Sequence, residues 1–178
     1  MATLISGSTG VNKITDGTIT NADIASGAAI AGSKLVMPTG SVLQVVTATS
    51  TTETSTTSTS WVALSDLTLS ITPSSTSSKI WIVLSVPQYV VNSGSHMTCN
   101  VFRGSVSGTT LGNTNWGFGS VHSGSAAILG NVSGNYLDSP NTTSSQTYTV
   151  AHKIVSGGTG YSTVNSGRGT ITLMEIAG

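Results

Sequence analysis

Three histidines, one cysteine and six acidic residues hold most of the reactive chemistry available to this 178-residue chain. His96 and Cys99 stand three apart in Ser-His-Met-Thr-Cys, and imidazole with thiolate is a zinc-binding combination. In a strand, residues three apart point to opposite faces. The spacing therefore favours a polar His at a strand end and a small, buried Cys. His122 and His152 have no ligand-spaced neighbours either, so no metal site is expected within one chain. Three copies of one His around a symmetry axis are the arrangement that a single chain would not display. The acids are Asp16, Asp23, Glu53, Asp66, Asp138 and Glu175, with no close pair in sequence. Cleavage of a glycosidic bond needs two carboxylates flanking it, and aromatic residues make up only 5% of the chain. No catalytic residue, enzyme activity or cofactor is expected.

Binding is better served than catalysis. Gly112-Asn-Thr-Asn-Trp-Gly-Phe-Gly-Ser-Val-His-Ser-Gly124 sets Trp116 and Phe118 in an uncharged, Gly-rich segment beside Asn115. Adaptable polar residues around aromatic anchors are what binding loops use. Glycan or protein recognition would suit the loop; rings that simply cap the end of a β-core would suit it equally. Further on, Leu137-Asp-Ser-Pro-Asn-Thr-Thr reads as a structured corner. Asp138 and Ser139 can accept backbone N–H bonds in a turn, and Pro140 fixes its own φ.

Composition removes several functions. Six Lys and Arg balance six Asp and Glu, charged residues are 7% of the chain, and 37% is apolar. Six scattered cations make no patch for nucleic acid. The apolar share argues against charge-driven disorder, and the longest apolar run, Ile80 to Leu84, is far short of the ~20 residues of a membrane span. A lone Cys99 allows no intramolecular disulfide, and the first residues lack the basic and apolar regions of a signal peptide.

The elements that must position these residues fall into two parts. In residues 1–38, Ile14, Ile19, Ile24, Ile30 and Leu35 recur at a spacing near five, which is neither the strand period nor the helix period. Such a segment cannot bury a core alone. It can bury its isoleucines around a shared symmetry axis or in a partner's groove, or stay a flexible tail. From residue 39 to 178 the pattern is strand-like. Strands are expected at Ser41–Thr47, Trp61–Thr72, Lys79–Val86, Met97–Arg103, Ala126–Leu129, Gln146–Ile154, near Tyr161–Val164, and at Thr170–Ile176. Gly-rich segments, among them 104–119 and 130–134, separate them. Trp81 and Val83 make the second face of Lys79–Val86 apolar, as in a central strand covered by another layer or subunit. The expected fold is all-β, a jelly-roll-like sandwich of about eight strands.

Some of these stretches resemble a known family. Gly40-Ser-Val-Leu-Gln-Val-Val46, Ser78-Lys-Ile-Trp-Ile, Tyr136-Leu-Asp-Ser-Pro-Asn-Thr-Thr-Ser-Ser-Gln-Thr-Tyr-Thr-Val150 and Ile171-Thr-Leu-Met-Glu-Ile-Ala-Gly178 resemble the C-terminal domains of tail-fibre-like virion proteins from phages of aquatic bacteria, cyanophages especially. Ile14-Thr-Asp-Gly-Thr-Ile-Thr-Asn-Ala-Asp-Ile24 is similar to the stem or attachment segments that precede them. The resemblance implies a homotrimer with a jelly-roll or C1q-like head and no catalysis. It implies residence in the virion after assembly in the host cytoplasm. Residues 1–38 would hold the tail, baseplate or capsid, and the head would contact a host surface glycan or protein. Neither nucleic acid nor membrane insertion is implied. Such fibres usually carry a long shaft, whereas here the head begins almost at once. A compact knob, either a capsid decoration protein or a head fibre, therefore competes with a tail fibre.

Overall fold

The computed structural model describes residues 35–178, and residues from Met37 onward form one compact unit. This unit is all-β: two antiparallel sheets packed face to face as a sandwich. Eight main strands carry it: β1 Val42–Ser50, β3 Val62–Ile71, β4 Lys79–Val90, β5 His96–Arg103, β7 Gly119–His122, β8 Ile128–Asp138, β9 Gln146–Ser156 and β11 Gly169–Ile176. Three short ones join them: β2 Thr54–Thr56, β6 Thr109–Thr110 and β10 Gly160–Ser162. In the first sheet β4 is flanked along one edge by β8. Along its other edge it pairs first with β11, which pairs with β1, and then with β10, which pairs with β2. The second sheet runs β3, β9, β5, and β7 and β6 share the outer edge of β5.

Strict alternation along β4 builds the core. Ile80, Ile82, Leu84, Val86 and Val90 point inward and are fully buried, each contributing about 1.5–3 kcal/mol by leaving water. They meet Met97, Cys99 and Val101 of β5, Tyr148, Val150 and Ile154 of β9, and Leu67 of β3. Strand β4 also runs four residues past its expected end, through Pro87. The proline gives up an N–H, but its carbonyl still accepts the Thr163 N–H at 2.8 Å.

The largest departure from the sequence reading is β8. A short strand at 126–129 followed by a glycine-rich spacer was the expectation; the chain instead stays extended from Ile128 to Asp138, pairing with β4 throughout. The glycines are there because the opposite layer leaves no room. A Cβ on Gly130 would stand 2.8 Å from Val121, and one on Gly134 would stand 2.6 Å from Phe118. Likewise, the segment expected to be spacer before Gly119 contains β6, and β7 lies inside the expected Gly112–Gly124 loop.

Buried polar groups are tied in pairs and trios. Asp138, closing β8, accepts the Tyr148 hydroxyl of β9 at 2.7 Å and the Arg103 guanidinium of β5 at 3.0 Å, joining the two sheets. Its carboxylate points across the sandwich rather than capping the corner that ends in Pro140. Glu175 accepts Gln44 Nε2 at 2.6 Å and the Ser74 N–H and hydroxyl at 2.7 Å each. Burial pushes its pKa up, but these hydrogen bonds outweigh it and hold the carboxyl below its ordinary value. His152 is fully buried, with Nδ1 2.8 Å from the Ser162 hydroxyl, which also lies 3.5 Å from Gln88 Nε2.

Burial keeps His152 neutral, lowering its pKa from 6.5 to about 4. The unfolded chain takes up this proton first as pH falls. Stability should thus be complete above about pH 6.5 and decline toward pH 4, by roughly 3 kcal/mol at ~1.4 kcal/mol per pH unit. Denaturant titrations between pH 7 and 4 should show this slope, and His152→Asn should make it shallower, leaving the part that comes from His96. Glu175 acts in a lower window, below its unfolded value, so the two are separable. An unchanged slope in the variant would refute the assignment.

Candidate functional site

Two surfaces of the sandwich carry groups that the fold itself does not use. The first is the outer face of the β8–β4–β11–β1 sheet. Register places Leu137 opposite Trp81, Trp81 opposite Met174, and Met174 opposite Val45, an apolar row across four strands. Ile176 beside Val42 extends it at one side, and Val83 at the other. Trp81 is 37% exposed, Leu137 40% and Val45 55%. The second apolar face expected of β4 is therefore present, and no other described residue covers this row. The middle of the sheet turns polar: Ser133, Ser85, Thr170 and Thr49 form one row. In the row between, the Thr47 and Thr172 hydroxyls lie 3.1 Å apart. Lys79 is the one formal charge that the pairing places on this face.

The second surface is the hairpin between β6 and β7. Asn113 and Gly117 exchange backbone hydrogen bonds at 3.0 and 2.9 Å. The Asn113 side-chain oxygen accepts the N–H groups of Asn115 and Trp116 at 2.9 and 3.0 Å, closing an Asx turn. Asn100 of β5 supports the hairpin from below, accepting the Gly112 N–H at 3.0 Å and donating to the Asn113 carbonyl. Gly117 adopts φ 58°, and a Cβ there would collide with the Cys99 carbonyl. A rigid hairpin thus presents Trp116, 48% exposed, at the edge of the second sheet.

Trp116 and Phe118, read together in the sequence, part company. Phe118 packs against the core under Gly134. Trp116 stays outside, stacked on His96 with ring centroids 4.7 Å apart and planes 27° from parallel. Asn115 is exposed beside it. His96 and His122 face each other across β5 and β7, 5.1 Å between centroids. Burial, and secondarily the neighbouring His122, hold the His96 pKa below its ordinary value. This pair was not legible from spacing, because its members stand 26 residues apart and meet only through the pairing of β5 with β7.

Of the residues assigned to the attachment segment, Ile14, Ile19, Ile24 and Ile30 lie outside the described residues, and Leu35 is exposed. Cys99 is fully buried, its thiol pushed up to about 12 by desolvation. The described carboxylates each have separate partners: Asp66 with Ser50, Glu53 with the Asn165 N–H, Asp138 with Arg103 and Tyr148, and Glu175 with Gln44 and Ser74. Among the described residues no three His, Cys, Asp or Glu side chains converge. None of their helices is long and apolar enough to cross a membrane.

No family model matches the sequence, and no curated protein does. Solved structures with a similar trace are particles of infectious bursal disease virus. Its VP2 subviral particle is 14% identical with a TM-score of 0.46, covering 76% of this chain and 33% of that one. The structure of the Gx strain is 11% identical with a TM-score of 0.45, covering 77% and 33%. This chain thus spans about a third of the length of either.

The stack of His96 on Trp116 makes indole emission a reporter of imidazole charge. As pH falls, Trp116 fluorescence should be quenched with a midpoint below the ordinary 6.5, and His96→Gln should remove the transition. A Trp116→Phe chain supplies the background from the other tryptophans. A midpoint at or above 6.5 would contradict the buried setting of His96.

Proposed function

We propose that the chain is a structural, non-catalytic protein of a bacteriophage virion. It forms a homotrimeric fibre-like knob attached through residues 1–38 to tail, baseplate or capsid. The observation that carries this reading is the uncovered apolar row Leu137–Trp81–Met174–Val45. Monomeric proteins seldom expose contiguous apolar surface of that kind. A second copy of the chain is the cover that suits it best: a face with so little charge meets little repulsion from its own image, and its Ser and Thr rows offer hydroxyls that both donate and accept. The resemblance of four stretches to tail-fibre-like heads supports three copies rather than two. A compact capsid decoration protein or head fibre would use the same face and differ only in what residues 1–38 hold.

Light scattering on the full-length chain should give a trimer mass. Trp81→Glu should keep the β-sheet signature, because the side chain lies outside the core, but shift the mass toward monomer. A full-length monomer would overturn the reading. Since ion pairs contribute little here, the trimer should hold from low to molar salt.

The rigid display of Trp116 favours one addition, contact with a host surface glycan or protein through this ring and Asn115. Aromatic anchors at an interface centre typically cost 2 kcal/mol or more when truncated. Trp116→Ala particles should therefore adsorb to host cells at least about tenfold less. Unchanged adsorption would remove the contact while leaving the structural role intact.

A further inference from the structure

At the far end of the same outer sheet face, a cleft of about 260 Å³ opens between Glu53, Tyr89, Val91, Tyr161, Val164 and Asn165. Tyr89 and Tyr161 are directly opposed across β4 and β10, with ring centroids 6.1 Å apart and planes inclined at 46°. Glu53 brings the one formal charge of the lining. It accepts the Asn165 N–H at 3.4 Å, and among the described residues no cation lies within ion-pair distance of it. In a chain with only six acids, an unneutralised carboxylate beside two aromatic faces is a specific arrangement.

The wall behind it is strained. Thr163, Asn165 and Ser166 have φ of 57°, 54° and 58°, the left-handed region that residues other than glycine seldom adopt. For β-branched Thr163 this is a true outlier, costing on the order of 1–3 kcal/mol. It is held in place by its N–H on the Pro87 carbonyl at 2.8 Å and its hydroxyl against the Thr52 carbonyl. Strain of this kind gathers where a surface must keep one shape for a ligand.

Size and charge select the ligand. The volume is below the ~300 Å³ at which drug-sized pockets begin, so a small head group fits and an oligosaccharide does not. A sugar ring stacks flat on one aromatic face, whereas two inclined faces converge on a compact group. Their electron-rich surfaces and the Glu53 carboxylate all favour positive charge. We propose that this cleft binds an organic ammonium group, either as a soluble amine or as the head group of a lipid.

Choline is the probe, titrated into the full-length chain and followed by tyrosine NMR shifts and by calorimetry. Saturable binding in the millimolar range is expected, with shifts at Tyr89 and Tyr161. Glu53→Gln, a change at an exposed position, should weaken it about tenfold, and Tyr161→Ala by at least as much. Sedimentation with phosphatidylcholine vesicles separates the sources: choline binding without sedimentation assigns a soluble amine, and both together assign a lipid head group. The Trp81→Glu chain should bind equally well, because Trp81 lies eight residues along β4 from Tyr89, about 27 Å away. Binding is thus read independently of the trimer. No saturation by 50 mM choline, binding unaffected by Glu53→Gln, or a preference for glucose over choline would each overturn the proposal.

Discussion

The structure depends on the alternation of β4, a strand apolar on both sides. Its inward set, Ile80, Ile82, Leu84, Val86 and Val90, is the floor of the core, and every other strand of its sheet is ordered by pairing with it directly or at one remove. A residue period of two leaves no freedom: once those five point in, Trp81, Val83 and Tyr89 must point out. A one-residue slip would put Trp81 inside and Ile82 in water. The outward apolar residues are thus not an accident of composition that repacking could hide. A two-layer sandwich has no third layer, so whatever covers them comes from outside the two sheets.

Scarcity of charge shapes the rest. With one ion pair among the described residues, Arg103–Asp138, most buried polar groups are satisfied by hydroxyls, amides and backbone. Tyr148 illustrates the cost and the gain. Burial and the Asp138 carboxylate both push its hydroxyl pKa up, so the phenol stays protonated and remains the donor in the contact between the sheets. His152 works in the opposite sense, as a neutral imidazole that acid can charge. The exceptions among the described residues are Gln88 Oε1 and His152 Nε2, next to Ser162, together with Ser78 Oγ, Ser95 Oγ and His96 Nε2, which lack protein partners.

How much of this was legible in the sequence depends on whether a feature is local. The all-β class and the paired faces of β4 follow from two-residue periodicity, which one strand displays by itself, and the burial of Cys99 follows from its residue type. β8 was not legible, because Gly130, Asn131, Ser133, Gly134 and Asn135 do not make a strand pattern; the reason for the two glycines is steric and lies in Val121 and Phe118 across the sandwich. Asp138 was recognised as part of a structured corner, but its partners Arg103 and Tyr148 come from other strands. The Tyr89–Tyr161 cleft joins residues 72 apart, with Glu53 a further 36 residues before Tyr89. Nothing in a linear pattern marks such a meeting.

The two ends of the outer sheet face call for different partners, and the middle explains how one face can hold both. At the Trp81 end four strands present a flat apolar row, broad enough for a matching protein surface and too featureless for a small molecule. At the Tyr89 end, β10 and β2 replace β11 and β1 alongside β4, and the strained turn after β10 raises a wall beside the sheet. Flatness gives way to concavity at that exchange of strands. The Ser and Thr rows lie between the two ends, so burial of the apolar row does not require the cleft to close. A face built wholly of Trp81-like rows would associate more strongly but would have no cleft. The exchange of partners along β4 is therefore the feature that lets one sheet offer a broad contact at one end and a small, negatively charged aromatic site at the other.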